Sequence, residues 1–114
     1  MPYVYVTTSK QLTDEKIDRI QKEIGRIISI IPGKTIHNCM TQITGNCKTF
    51  MSGDAVNATF CEVRLFGKAP SDKKREFITE LNKVLTDELG DLGMLYTNIQ
   101  ENFEWGVGPS LKEL

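Results

Sequence analysis

Two stretches of the chain carry the three-and-four spacing of an amphipathic helix. In Thr13 to Ile31 the apolar positions are Ile17, Ile20, Ile24, Ile27, Ile28 and Ile31, and charged residues fill most of the remaining arc. Thr13 suits the N-cap, Asp14 and Glu15 suit the positive end of the helix dipole, and Pro32-Gly33 stops the helix. The second stretch runs from Ser71 to Gly90, with Phe77, Ile78, Leu81, Val84, Leu85 and Leu89 on its apolar side. Here Ser71 is the expected cap and Gly90 the expected stop.

Short β-branched and aromatic runs flank both helices. YVYV precedes the first and HNCMTQI follows it; ATFCEVRLF precedes the second and MLYTNIQ follows it. The halves overlay at a fixed shift that sets Gly33-Lys34 on Gly90-Asp91. The chain therefore reads as one domain, residues 1–114, holding an internal β-α-β repeat over about 2–43 and 58–101. Each unit implies a parallel strand pair with a right-handed crossover. The predicted fold class is α+β: a four-stranded mixed sheet with both helices on one face. Val4 and Val6 point to one side of the first strand, Tyr3 and Tyr5 to the other. Both faces thus carry apolar groups, and leaving one of them wet is costly, which predicts a homo-oligomer. The middle segment TGNCKTFMSGDAVN reads as a loop with a short strand at Thr49 to Met51, and ENFEWGVGPSLKEL as an irregular tail or short hairpin holding Trp105.

Composition narrows the function classes. The chain is 39% hydrophobic and 25% charged, ordinary values for a soluble globular domain. A net charge of −1 offers no basic face of the size nucleic acid demands. No apolar run approaches the roughly 20 residues of a membrane span, and no basic start with an apolar signal region is visible. The expected compartment is the cytoplasm. Cys39, Cys47 and Cys61 are odd in number, irregularly spaced and without a CxxC, and His37 is the only histidine. Neither zinc nor a disulfide framework is expected. The thiols read as small buried hydrophobes, and His37 as a satisfied polar residue at a strand start.

One residue raises a chemical possibility. Pro2 follows Met1 directly. A small second residue such as proline permits removal of Met1, which would leave a free prolyl amine. Within a chain that nitrogen is an amide; at a terminus it is a secondary amine. An ordinary α-amino group titrates at roughly 7.7–8.0, and a secondary amine is more basic. Burial and a neighbouring cation both lower such a value, and a base tuned toward the working pH is the most effective.

Taken together, Pro2 opening a strand, GK after the first helix, FGK ending the third strand, YTN in the fourth and GVG near the end resemble the tautomerase superfamily. The similarity is to its macrophage migration inhibitory factor and D-dopachrome tautomerase branch, over the whole chain. The resemblance implies a homotrimer whose sheets form an inner barrel wrapped by helices, with active sites at subunit interfaces. It implies a cofactor-independent keto–enol tautomerase acting on a small phenylpyruvate-like or other α-keto acid enol, with Pro2 as general acid/base. It places Lys34, the backbone at Phe66, and the side chains of Tyr96, Asn98 and Val107 in the substrate pocket. Tyr96 and Asn98 lie two apart on one strand and so share a face.

The residues also admit plainer readings. Lys34 suits a helix-end cation, Tyr96 and Trp105 suit packing or an interface, and Arg64 suits a solvated or salt-bridged role or a second carboxylate contact. The CxxC of the cytokine branch is absent, which leaves no thiol–disulfide activity to expect, and Pro109 stands where that branch has an aromatic residue. The resemblance further admits a cytokine-like signalling ligand that meets a receptor protein after leaving the cell without a signal peptide. Hydration or dehalogenation of unsaturated acids ranks behind both, because Arg64 is the only arginine near the pocket segments.

Overall fold

The computed structural model describes all residues, Met1–Leu114. The chain forms β1 (Pro2–Thr8), α1 (Asp14–Ile27), β2 (Met40–Thr44), β3 (Phe50–Met51), β4 (Asp54–Ala55), β5 (Ala58–Phe66), α2 (Ser71–Leu89), β6 (Met94–Asn102), β7 (Glu104–Val107) and β8 (Ser110–Glu113). The main sheet has the order β2-β1-β5-β6. Strands β1 and β2 run parallel, as do β5 and β6, while β1 and β5 meet antiparallel at the centre. These are the two predicted β-α-β units, joined along their first strands.

Alternation in β1 and β5 decides which face is dry. Val4, Val6, Cys61, Val63 and Leu65 are buried. They pack with Ile20, Ile24, Ile27 and Ile28 of the first helical segment and with Phe77, Leu81 and Leu85 of α2 in a single core. Both helices therefore cover the same face. The other face carries Tyr3, Tyr5, Phe60 and Tyr96. Phe60 is 41% exposed and Tyr96 53%, so large apolar groups meet water there, as the sequence pattern predicts.

Thr13 caps α1 as expected, its hydroxyl accepting from the Lys16 N–H at 3.2 Å. The cap of α2 differs. The Pro70 carbonyl accepts the Lys74 N–H at 3.1 Å, which makes Pro70 the cap residue and Ser71 the first residue inside the helix. Proline suits that boundary because its fixed φ is compatible with entry into a helix. Two positions on the predicted apolar stripes lie at their margins. Ile17 is half-buried, and Ile78 is 38% exposed because it sits one residue off the Phe77–Leu81–Leu85 line that meets the sheet.

His37 does not begin a strand. It lies exposed in a single 3-10 turn, Ile36–Asn38, which the Asn38 side chain stabilises by accepting the Thr35 N–H. That local bonding delays β2 until Met40. Of the three thiols only Cys61 is buried, while Cys39 and Cys47 are half-buried. The middle segment holds a hairpin, β3 with β4, and the tail a second one, β7 with β8. In the first, Ser52 and Gly53 both have positive φ, the signature of a type I′ turn.

A tighter constraint sits at the entry to β6. Gly93 has φ +66°, and a Cβ built there would lie 2.0 Å from the Asn57 carbonyl oxygen. That oxygen already accepts the Met94 N–H at 3.1 Å. Gly93→Ala is expected to lose about 2–4 kcal/mol of stability, combining overlap with left-handed strain. Gly53→Ala has comparable backbone strain but open space around it, so its loss is expected near 1 kcal/mol. Urea denaturation of the two variants checks the ranking.

Candidate functional site

The start of β1 is held at a defined place. Pro2 is buried and pairs with Leu65 near the end of β5. Lys34 arrives from the opposite direction, after α1 and the Pro32-Gly33 turn. Its backbone N–H bonds the Ile31 carbonyl at 3.1 Å, and its ammonium donates to the Phe66 carbonyl at 2.9 Å. The last turn of β5 is itself clamped by Asn102, whose amide donates to the Leu65 carbonyl at 3.3 Å and whose carbonyl accepts the Gly67 N–H at 2.8 Å. Register and hydrogen bonds thus bring the chain start, Lys34 and the Phe66 backbone together.

With Met1 in place, the free amine at this point belongs to Met1 and the Pro2 nitrogen is an amide. Burial lowers the pKa of the Met1 amine first, and a hydrogen bond to Lys34 and the Lys34 charge lower it further, from 8.0 to about 6. Cys39 pulls weakly in the other direction. Nothing in the residue pattern signals that Cys39 approaches the amine, since that proximity depends on the path of the segment between α1 and β2.

The remaining predicted site residues lie elsewhere in the same chain. Tyr96 and Asn98 do share one face of β6, as their spacing requires. Tyr96 stands opposite Phe60, which stands opposite Thr7. This puts Tyr96 on the open face, about 17 Å along the sheet from Pro2 at roughly 3.4 Å per residue. There it lines an apolar cavity of about 240 Å³ with Phe50, Met51, Phe60 and Met94. Val107 ends β7 and is 44% exposed, joined to neither group. Trp105 packs against Phe66, ring centroids 6.4 Å apart. One chain therefore carries two separate groupings: an amine with a cation and a backbone carbonyl, and a tyrosine with an amide.

No three His, Cys, Asp or Glu side chains converge as a metal site, and no helix is long and apolar enough to cross a membrane.

Comparison with other proteins adds the fold. No family sequence profile and no curated protein sequence matches the chain. Solved structures do. Leishmania major MIF2 superimposes with a TM-score of 0.85 at 19% identity, covering 98% of this chain and 97% of that one. A macrophage migration inhibitory factor-like protein from Entamoeba histolytica gives 0.82 at 25% identity, covering 97% and 98%. A fused 4-OT asymmetric trimer gives 0.78 at 15% identity, covering 95% and 94%. The structural neighbours are thus MIF-like proteins and a fused 4-OT protein, and the shared element is the whole two-unit fold.

Two expectations follow from the site's environment. In protein retaining Met1, selective acylation of the α-amine should reach its half-point near pH 6, because the neutral amine is the reactive form. Lys34→Gln removes one charge and one hydrogen bond, so the half-point should move upward toward 8.0. Peptide mapping across a pH series checks both. Separately, burial pushes the Cys61 thiol up to about 12. Native protein treated with N-ethylmaleimide at pH 8 should therefore label Cys47 and spare Cys61, with all three thiols reacting in denaturant. Equal rates at Cys47 and Cys61 would contradict the buried placement.

Proposed function

We propose that this chain, which has the fold of the MIF-like proteins of the tautomerase superfamily, is a cofactor-independent keto–enol tautomerase working from Pro2 after Met1 is removed. The observation that carries the reading is the environment at the start of β1: burial and Lys34 together lower the Met1 amine, one residue outward from Pro2, to about 6. A base tuned in this way is mostly neutral, and so able to accept a proton, at physiological pH.

In the proposed reaction the Pro2 nitrogen takes a proton from the enol oxygen or from carbon and returns it at the neighbouring atom. Negative charge develops on oxygen during the transfer and needs a donor aimed at it. Lys34 is that donor, held in place by the Phe66 carbonyl; it binds the substrate carboxylate or the enolate oxygen. The pyrrolidine ring fixes the direction of the lone pair. The substrate class is a small α-keto acid enol of the phenylpyruvate type.

Tyr96 and Asn98 join this site only from a second subunit, since within one chain they stand on the other face of the sheet, on the outer strand β6, Asn98 level with Tyr5 and Tyr96 further along with Thr7. We therefore place the site at a subunit interface in a homotrimer. Two observations support that assembly: the apolar open face bearing Phe60 and Tyr96, and the trimer formed by the fused 4-OT protein of the same fold. Val107, exposed at the end of β7, is assigned to the pocket wall in the assembled site.

The test is loss of phenylpyruvate enol absorbance in the ultraviolet, using protein whose intact mass shows Met1 absent. Pro2→Gly should lower kcat/KM by about 10²-fold or more, the range for loss of a general base. Activity should rise with pH as the amine deprotonates, and Lys34→Gln should shift that rise to higher pH. Full activity in Pro2→Gly, or none in the Met1-free protein, would overturn the proposal.

A further inference from the structure

By alternation, strand β6 turns Leu95, Thr97, Ile99 and Glu101 toward the helix-covered side of the sheet. Leu95 and Ile99 pack against the core. Glu101 ends the row, opposite Leu65, so a carboxylate enters a largely apolar layer and needs partners there. Each of its oxygens has one. Oε2 accepts the Ala69 N–H at 2.6 Å, and Oε1 accepts from the Lys74 ammonium at 3.0 Å. The Ala69 bond first, and Lys74 after it, hold the Glu101 carboxyl below its ordinary range.

Both partners belong to the connection that leaves β5. Ala69 is buried in the turn at residues 67–70, and Lys74 lies in the first turn of α2. Glu101 is the one acceptor that meets the Ala69 N–H. The neighbouring residue of β6 holds the start of the same turn: the Asn102 carbonyl accepts the Gly67 N–H at 2.8 Å. That N–H and the Phe66 carbonyl belong to one rigid peptide plane. The Phe66 carbonyl is the group that anchors the Lys34 ammonium, at 2.9 Å. Lys34 takes part in none of the chain's ion pairs. Its place beside the amine therefore depends on where that peptide is held, and Glu101 supplies the charge-assisted bonds that hold it.

We propose that Glu101 is a positioning residue for the amine site. Its carboxylate fixes the turn between β5 and α2, and through the Phe66 peptide it keeps the Lys34 ammonium beside the chain start. The importance of Glu101 for turnover rests on the tautomerase reading; its hold on Lys34 does not.

The test reads the amine itself, in protein retaining Met1, where no turnover is needed. The α-amine faces Lys34 and Cys39, and both stay in place in the variants. Selective acylation over a pH series is applied to Glu101→Ala, which removes both acceptors. It is also applied to Glu101→Gln, whose amide offers one acceptor oxygen to two donors. The half-point of Glu101→Ala should rise above about 6, toward that of Lys34→Gln and not beyond it. Labelling at pH 6 should slow at least about 2-fold as the neutral fraction falls. Glu101→Gln should move the same way by less. Loss of a carboxylate by itself lowers an amine's pKa, so a rise separates positioning from simple charge removal. In a Lys34→Gln background Glu101→Ala should add no further rise, since both act through one contact. In Met1-free protein the rise of kcat/KM with pH should shift upward in Glu101→Ala. If the Met1-free parent shows no turnover, the tautomerase reading fails and the acylation series still decides for Glu101. An unchanged or lowered half-point in folded Glu101→Ala overturns the proposal, as it does in folded Glu101→Gln where the alanine variant does not fold. So does an equal rise in the Lys34→Gln background.

Discussion

The antiparallel pairing of β1 with β5 is the constraint on which the rest of the molecule depends. Each β-α-β unit supplies only two strands and one helix, too little apolar surface to form a core by itself. Pairing the two first strands makes one four-stranded sheet. It also aligns Val4, Val6, Cys61, Val63 and Leu65 as one buried floor for both helices. The same register fixes the chemistry. Because Pro2 lies opposite Leu65, the chain start stands beside the Phe66 carbonyl that anchors Lys34. A slip of one residue would turn every side chain of β1 to the wrong face, burying the tyrosines and moving the amine away from its cation.

Much of the fold was legible because its signals are periodic. Isoleucines at three-and-four spacing marked α1, and the alternation of YVYV and ATFCEVRLF marked the two central strands. The misreadings occurred where a local hydrogen bond, rather than a period, sets the boundary. Ser71 resembled a cap, but the Pro70 carbonyl accepts first. His37 resembled a strand start, but Asn38 closes a turn around it. The site was legible in a different sense. Pro2, Lys34 and Phe66 are far apart in sequence, and it was their order and spacing within a resemblance that grouped them, not any pattern of polarity. Cys39 beside the amine carried no signal at all, because that proximity arises from how the connecting segment returns to the sheet.

The two faces of the sheet divide the molecule's tasks. The helix-covered side supplies stability through a dry, close-packed core and contains little that is polar; its buried pair, Thr8 and Thr59, bond each other across the central strands at 2.8 Å. The open side carries tyrosine hydroxyls tied to neighbouring strands, Tyr3 to Gln42 and Tyr5 to Thr44, together with Phe60, Arg64 and Tyr96. Their hydrogen bonds hold the rings in fixed positions before anything meets that face, which lowers the ordering cost of covering it.

The repeat itself has one further consequence. Its spacing sets Thr59 where the first unit has Pro2, and Asp91 where it has Lys34. Thr59 is an interior link of the chain and buried, so its nitrogen is permanently an amide. Asp91 spends a carboxylate oxygen on the Gly93 N–H at 2.9 Å and its carbonyl on Asn57, so the equivalent corner is a structural knot of opposite charge. Near-twofold architecture thus ends in a polar molecule: a duplicated frame has two matching corners, but covalent continuity allows a terminal amine at only one of them. Symmetry at the level of strands and helices coexists with a single chemically distinct pole.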